Sequence, residues 1–326
     1  VYRSPGSLAL TLRPRQLSAK PVAFPWPLDH LSGSAIYADG QIHLNDLSAH
    51  HGNASILLSG TGSNSNWQLH LRGRNFPINS DFLHIAPKPL ADLIRNLDLA
   101  GSFDFDFSKL LVRNHTIDFS LKLGAHSASL KAGLLMTKIN GACDLAGSFQ
   151  NDKVSDLTGD FNFDSLDIAG RPASDLSFKL KKPADRNVVV LYNLSGAIAG
   201  GSLAGQMSFD TAGAASDHYT INLVLRDADI TALDPDTEHD IHGQLSASMD
   251  LEGRWSDPNT RIGRGDVLVT GQHLYQIPIL LGVSQIANLA LPLNEPFTQG
   301  TARYAVQGQS VIFDSIELKA ANMQMT

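Results

Sequence analysis

Acidic and imidazole side chains are the first places to look for chemistry, and their densest group is Asp227, Asp229, Asp234, Asp236, Glu238, His239, Asp240 and His242. A calcium loop needs a central glycine and a closing bidentate glutamate, and a helical zinc pair needs two histidines four apart. Neither pattern is present, so the stretch reads as a solvated acidic loop. His50 and His51 lie beside Gly52 with no ligand partner at useful spacing, and read as an exposed pair. Asp104 and Asp106 stand two apart in an alternating segment, where they share one face as a solubilising stripe. There is no Gly-x-Ser-x-Gly elbow, no phosphate-binding P-loop and no dinucleotide fingerprint. Arg264-Gly265-Asp266 matches an adhesion tripeptide, but Asp266 begins a strand-like run. The expectation is a protein that is not an enzyme and uses neither metal nor cofactor.

What remains is the chemistry of solvation. Phe103, Phe105 and Phe107 alternate with Asp104, Asp106 and Ser108, and Ile117, Phe119, Leu121 and Leu123 alternate with Asp118, Ser120 and Lys122. The same period of two recurs at Ile221, Leu223 and Leu225, and at Leu245, Met249 and Leu251. Each segment predicts a strand with one apolar and one wet face. These thirteen apolar residues are the candidate lining of an apolar groove.

Composition agrees with a β-rich chain. Of 326 residues, 43% are hydrophobic, 17% are charged and 27 are glycine, which favours strands joined by tight turns over helical bundles. The formal charge of −7 and the lack of a Lys/Arg stripe exclude a nucleic-acid partner. Cys143 is the single cysteine, so no intrachain disulfide can form. No run of 18 apolar residues occurs, and any signal peptide or anchor is expected to lie outside this sequence.

The elements that position the alternating residues follow in order. Pro25 and Pro27 make Phe24–Leu28 an edge or connection. Asp39-Gly40 between apolar alternations is a hairpin signal, and Gly200-Gly201 is suited to another. The β pattern breaks at 82–97, where Leu90, Leu93, Ile94 and Leu97 form one apolar helical face. A second short helix is expected at 278–291, with Ile279, Val283, Ile286 and Ala290 on one side, between Pro278 and Pro292. With about 13 residues it cannot span a bilayer, which needs roughly 20. It is expected to close the end of the groove. Tyr37–Leu47 echoes Tyr304–Ile316 as strand, glycine turn and strand. No compositional boundary divides residues 1–326, which read as one continuous sheet with 263–326 as its terminal unit. Some 16 strands at about 4.8 Å would extend roughly 75 Å, and an open twisted sheet of that width must curl or split. The predicted class is all-β: a long antiparallel sheet curled into an apolar groove, with two short amphipathic helices.

Gly263-Arg-Gly265, Gln272-His-Leu-Tyr275, Ile277-Pro-Ile279 and the apolar run to Leu291 resemble the C-terminal region of AsmA-like proteins. Ser195–Gly205 is similar to the glycine-rich hairpins of that group, and Phe24–Leu28 followed by Leu31-Ser-Gly33 looks like the entry to one of its repeats. The resemblance covers the final ~60 residues in ordered detail. It implies a β-groove with an apolar interior, a periplasmic location in the bacterial envelope, and an inner-membrane anchor supplied from outside this sequence. It also implies movement of phospholipid or other acyl lipid between inner and outer membranes, or support of outer-membrane biogenesis with envelope assembly proteins as partners. Two other readings stay open. One is an assembly factor that binds client strands at a sheet edge, and the other is a structural or adhesive β-protein.

Overall fold

Alternation becomes a sheet only when register keeps every apolar residue on the same face. The structure, a computed structural model, describes residues 9–20, 26–86, 88–114, 116–150, 153–210, 217–233, 242–272, 297–320 and 324–325. The chain forms two compact units, Val1–Gly170 with Lys181–Ala184, and Arg171–Leu180 with Asp185–Thr326. The fold is all-β and antiparallel, and the sheet does not close into a barrel.

In the first unit β1 (Ala9–Leu12) and β2 (Leu17–Ala19) share the outer side of β3 (Leu28–Ala38), one at each end of it. Then come β4 (Gln41–His51), β5 (Ala54–Ser63), β6 (Asn66–Ile78), β7 (Ala100–Arg113), β8 (Thr116–Ala132), β9 (Leu134–Gln150) and β10 (Lys153–Ile168). Each pairs antiparallel with the one before it. The second unit holds most of β11 (Arg171–Lys182), then β12 (Val188–Ile198), β13 (Gly201–Asp210), β14 (His218–Asp229), β15 (His242–Arg254) and β16 (Ile262–Gln272). It ends with β17 (Gln299–Gln307), β18 (Ser310–Lys319) and the short β19 (Gln324–Met325). From β12 onward these too pair in sequence order.

Helices are brief. α1 (Ser80–Ile85) and α2 (Lys88–Asn96) interrupt the strands between β6 and β7, and α3 (Ile230–Leu233) follows β14. Asn79 caps α1, its side chain accepting the Phe82 N–H at 3.0 Å. The helix expected over 278–291, with Ile279, Val283, Ile286 and Ala290, lies outside the described residues.

Register explains how one face stays apolar. Across β6–β10, Gly73, Phe105, Leu123, Cys143 and Phe161 stand opposite one another in turn, as do Leu71, Phe107, Leu121, Leu145 and Gly159. In the second unit Met207, Ile221, Leu251, Gly263 and Val306 do the same. The opposite face of the first unit carries a charge ladder. Arg72 meets Asp106 at 2.7 Å, and Lys122 meets Asp144 at 3.6 Å. Pairs this exposed contribute at most about 1 kcal/mol each, so the ladder's main effect is to keep that face wet.

Bulges recur where strands bend. Asn75, Ser127 and Asp227 adopt left-handed φ near 50° at register shifts. In each case a polar side chain of the next strand accepts the freed N–H: Asp104 at 2.8 Å, Asn140 at 2.9 Å and Ser246 at 3.0 Å. A bulge bends its strand and sharpens its twist while the flanking apolar residues stay on one face.

Turn positions correct one expectation. The β12–β13 turn is Ala199-Gly200, with φ of 50° and 78°, not Gly200-Gly201. Gly201 instead opens β13 with its Cα pressed on Ala228, where a side chain would collide with backbone. The Tyr37 and Tyr304 echoes both form two-residue hairpins, closed by Ala38–Gln41 and Gln307–Ser310.

Glycine placement yields a test. Gly60 has φ of +149°, and an added Cβ would fall on the Gln68 carbonyl of β6. Gly124 on the wet face has Asp104 Cβ no closer than 3.7 Å. Gly60→Ala is expected to lower stability by about 1–3 kcal/mol, and Gly124→Ala by no more than about 0.5 kcal/mol. Urea unfolding curves of the two variants check the difference; equal midpoints contradict it.

Candidate functional site: a one-sided apolar face

The apolar stripe on β7 and β8 runs from a buried end to an exposed one. Phe103 is buried at 5% exposure, Phe105 and Phe107 are half-buried, and on β8 Phe119, Leu121 and Leu123 are half-buried as well. Ile117, at the far end, is 37% exposed. All seven sit on the same face through the β7–β8 register, with a bulge between Phe107 and Lys109 preserving the phase to Leu110. In the second unit Ile221, Leu223, Leu225, Met249 and Leu251 share one face of β14 and β15, all half-buried. Leu245 joins them across the bulge, opposite Ala228.

Large side chains on this face lie over glycines of the neighbouring strand. The Trp67 ring occupies the space above Gly62, and Phe105 occupies that above Gly73. Alternating small and large residues let a face bend inward without overcrowding.

One end of the first unit's face is sealed. Phe76 and Phe82 pack edge to face at 5.3 Å, Trp26 lies 4.5 Å from Phe76, and Ile94 of α2 completes a buried cluster with Ala54. Phe105 joins the cluster through Phe76 at 5.2 Å, and Phe107 follows at 6.0 Å. A file of rings therefore runs from the sealed end into the half-open face. Trp26 was not legible as a core residue, because its flanking prolines mark only a connection. At 2% exposure it anchors the seal. His51, expected to be exposed, instead packs on Trp26 at 4.2 Å, and its Nδ1 donates to the Pro27 carbonyl at 2.8 Å. At the other end Trp67 donates its Nε1–H to the Asn64 carbonyl at 3.2 Å, and Tyr37 is exposed. Rings with an apolar body and a polar tip suit a boundary between water and an apolar interior.

Other candidates resolve into structural roles. Asp227 holds the β14 bulge through Ser246, and Asp229 accepts the Thr231 N–H at 2.8 Å at the start of α3. Asp234, Asp236, Glu238, His239 and Asp240 lie outside the described residues. Asp266 sits mid-strand in β16, 3.5 Å from Arg303, so Arg264-Gly265-Asp266 is not a presented loop. Among the described residues no cluster of three or more His, Cys, Asp or Glu is placed to hold a metal. Open depressions of about 510 and 710 Å³ in the second unit are lined by polar-face residues such as Arg226, Ser246, Asp266, Asn222, Asp250 and Arg264. Phe105, Phe107 and Phe119 of the apolar face line neither of these depressions.

Two titratable groups report on the two faces. On the wet side, partial burial pushes the Asp104 pKa up. The Asn75 N–H, the Arg74 guanidinium at 3.0 Å and His126 at 3.3 Å outweigh that and hold the carboxyl below its ordinary value. On the apolar side, burial and then the neighbouring Asp144 charge push the Cys143 thiol up to about 12.

Against family models, curated proteins and solved structures, the chain matches none. Its functional reading rests on the geometry of the two faces.

Each reporter gives an expected outcome. A carboxyl with a lowered folded pKa stabilises the fold above its unfolded value, about 3.9, and that contribution disappears as pH falls through the folded value. Asp104→Asn is therefore expected to be less stable than the parent at pH 7, with the gap closing on acidification below pH 4. A gap that persists unchanged in acid removes the charge-based account. For Cys143, the thiolate fraction at pH 8 is about a thousandfold below that of an unperturbed thiol. Alkylation by iodoacetamide should be slower by that order in the folded chain than in urea, whereas matching rates would place the thiol in water.

Proposed function

We propose that this protein is a non-enzymatic binder and conductor of acyl lipids, acting in the bacterial cell envelope between inner and outer membranes. One observation carries the reading. The face bearing Phe107, Phe119, Leu121 and Leu123 is apolar across neighbouring strands, yet only half-buried, with no second layer packed on it among the described residues. A contiguous apolar surface of this kind marks a place of interaction. Covering it with an acyl chain gains about 0.8 kcal/mol per methylene removed from water. The resemblance of the C-terminal segment and the Ser195–Gly205 hairpin to AsmA-like proteins supports a periplasmic setting, with phospholipid as the carried lipid. The mechanism is passive. Acyl chains lie on the apolar face while headgroups stay in water, and no covalent step is required.

A second reading has its own observation. Among the described residues β19 pairs with Leu318 and Lys319 of β18, and Val311, Ile312 and Phe313 are exposed at the other end of that strand. A client strand of an outer-membrane protein would add there through backbone hydrogen bonds.

One experiment separates the two. Photo-reactive residues at Leu121 and at Ile312 are expected to capture phospholipid at the first position, with lipid also retained in native mass spectrometry. Phe119→Asp should cut that retention at least tenfold while circular dichroism stays native. Protein captured at Ile312, with no lipid at Leu121, would establish the client-strand reading instead.

A further inference from the structure

The sealed end of the first unit suggests more than support. Resting on the acyl-lipid reading above, we propose that the Phe76–Phe82–Ile94 cluster, backed by Trp26, is a stop that sets the longest acyl chain the first unit's face accepts. Three observations carry this. First, exposure is 37% at Ile117 and 5% at Phe103, with half-buried residues between, so the face is closed at one end and open at the other. Second, Phe107 is the last ring in the file that lies outside the cluster and its packed neighbours, since Phe105 already touches Phe76. Third, the open stretch has the dimension of one chain. Phe107 to Val112 contains one bulge, so its length is that of Leu121 to Ile117 on β8, four residues or about 13 Å at strand rise. One leaflet of a bilayer core is about 15 Å deep, half of roughly 30 Å.

Polarity fixes the direction. The open end carries the Ser65–Asn114 hydrogen bond at 2.9 Å and the amphipathic Trp67, with exposed Arg113 on the wet face of the same strand end. The sealed end presents rings and aliphatic carbon. A bound chain therefore enters methyl end first, parallel to the strands, and leaves its polar head at the Ser65–Asn114 rim. Phe82 backs Phe76 at 5.3 Å, so trimming it gives Phe76 and the rings in front of it room to retreat. It belongs to the short helix α1 rather than to a strand, so trimming it leaves the sheet register untouched.

The test uses the full chain, stripped of co-purified lipid and offered the saturated fatty acids from dodecanoate to eicosanoate in competition. Native mass spectrometry reads which homologue is retained. The parent is expected to favour a limited length, and Phe82→Ala to move that preference to longer homologues. Phe82→Leu, which keeps most of the core, should move it by less in the same direction, and serves if the alanine variant does not fold. Ile117→Ala, at the open end, should weaken retention of every homologue without changing their order. An unchanged length order in the Phe82 variants, with the parent still binding, overturns the stop and leaves the acyl-lipid reading standing. Failure of the parent to retain any homologue overturns both.

Discussion

The constraint on which the rest depends is the phase of the pleat. A strand has only two faces, and a slip of one residue exchanges them completely. Every pairing across β6–β10 keeps the apolar set on one side, even where an extra residue intrudes. That economy is possible because the bulges at Asn75 and Ser127 each add a single left-handed residue and then return to the same alternation. Where a bulge frees an N–H, a neighbouring polar side chain takes it up, so the bend leaves no orphaned backbone group. The wet face thus holds the bends, and the apolar face is left free for other use.

A second consequence concerns how the core is made. In an ordinary sandwich the inner face of one sheet is filled by that of another. Here large residues fill the gaps above glycines of their own sheet, as Trp67 does over Gly62 and Phe105 over Gly73. The sheet packs against itself. The Trp26–Phe76–Phe82–Ile94 cluster resembles a conventional core, and it draws on α1, α2 and a connection as well as strands.

Much of this was legible and some was not, for separable reasons. The stripes at 103–107, 117–123 and 221–225 are local signals, because alternation in one segment suffices to assign its faces. The Asp39-Gly40 turn is equally local. The bulges at Asn75, Ser127 and Asp227 were hidden, since a bulge exists only relative to a partner strand. Ala199 as a turn residue was hidden for a related reason: Gly201 is needed for close approach to Ala228, which the hairpin alone does not reveal. Trp26 was missed because prolines describe the path of the chain and not what it covers. The helical break at 82–97 was visible, but its role in sealing one end depends on Phe76 and Trp26, neither of which belongs to it.

The strand order has a further meaning. In the first unit from β4 to β10, and in the second from β12 to β19, the described pairings join strands that are neighbours in the chain. Such contacts are short-range for a β-protein, so loop closure costs little at each step and hairpins can be added one after another. The same logic governs repeat proteins, whose length changes by whole modules while the surface they present stays continuous. A duplicated or deleted hairpin here would shift the span by two strand spacings, about 10 Å, without disturbing the phase on either side. The architecture is therefore extensible, and reach can evolve independently of the chemistry of the face.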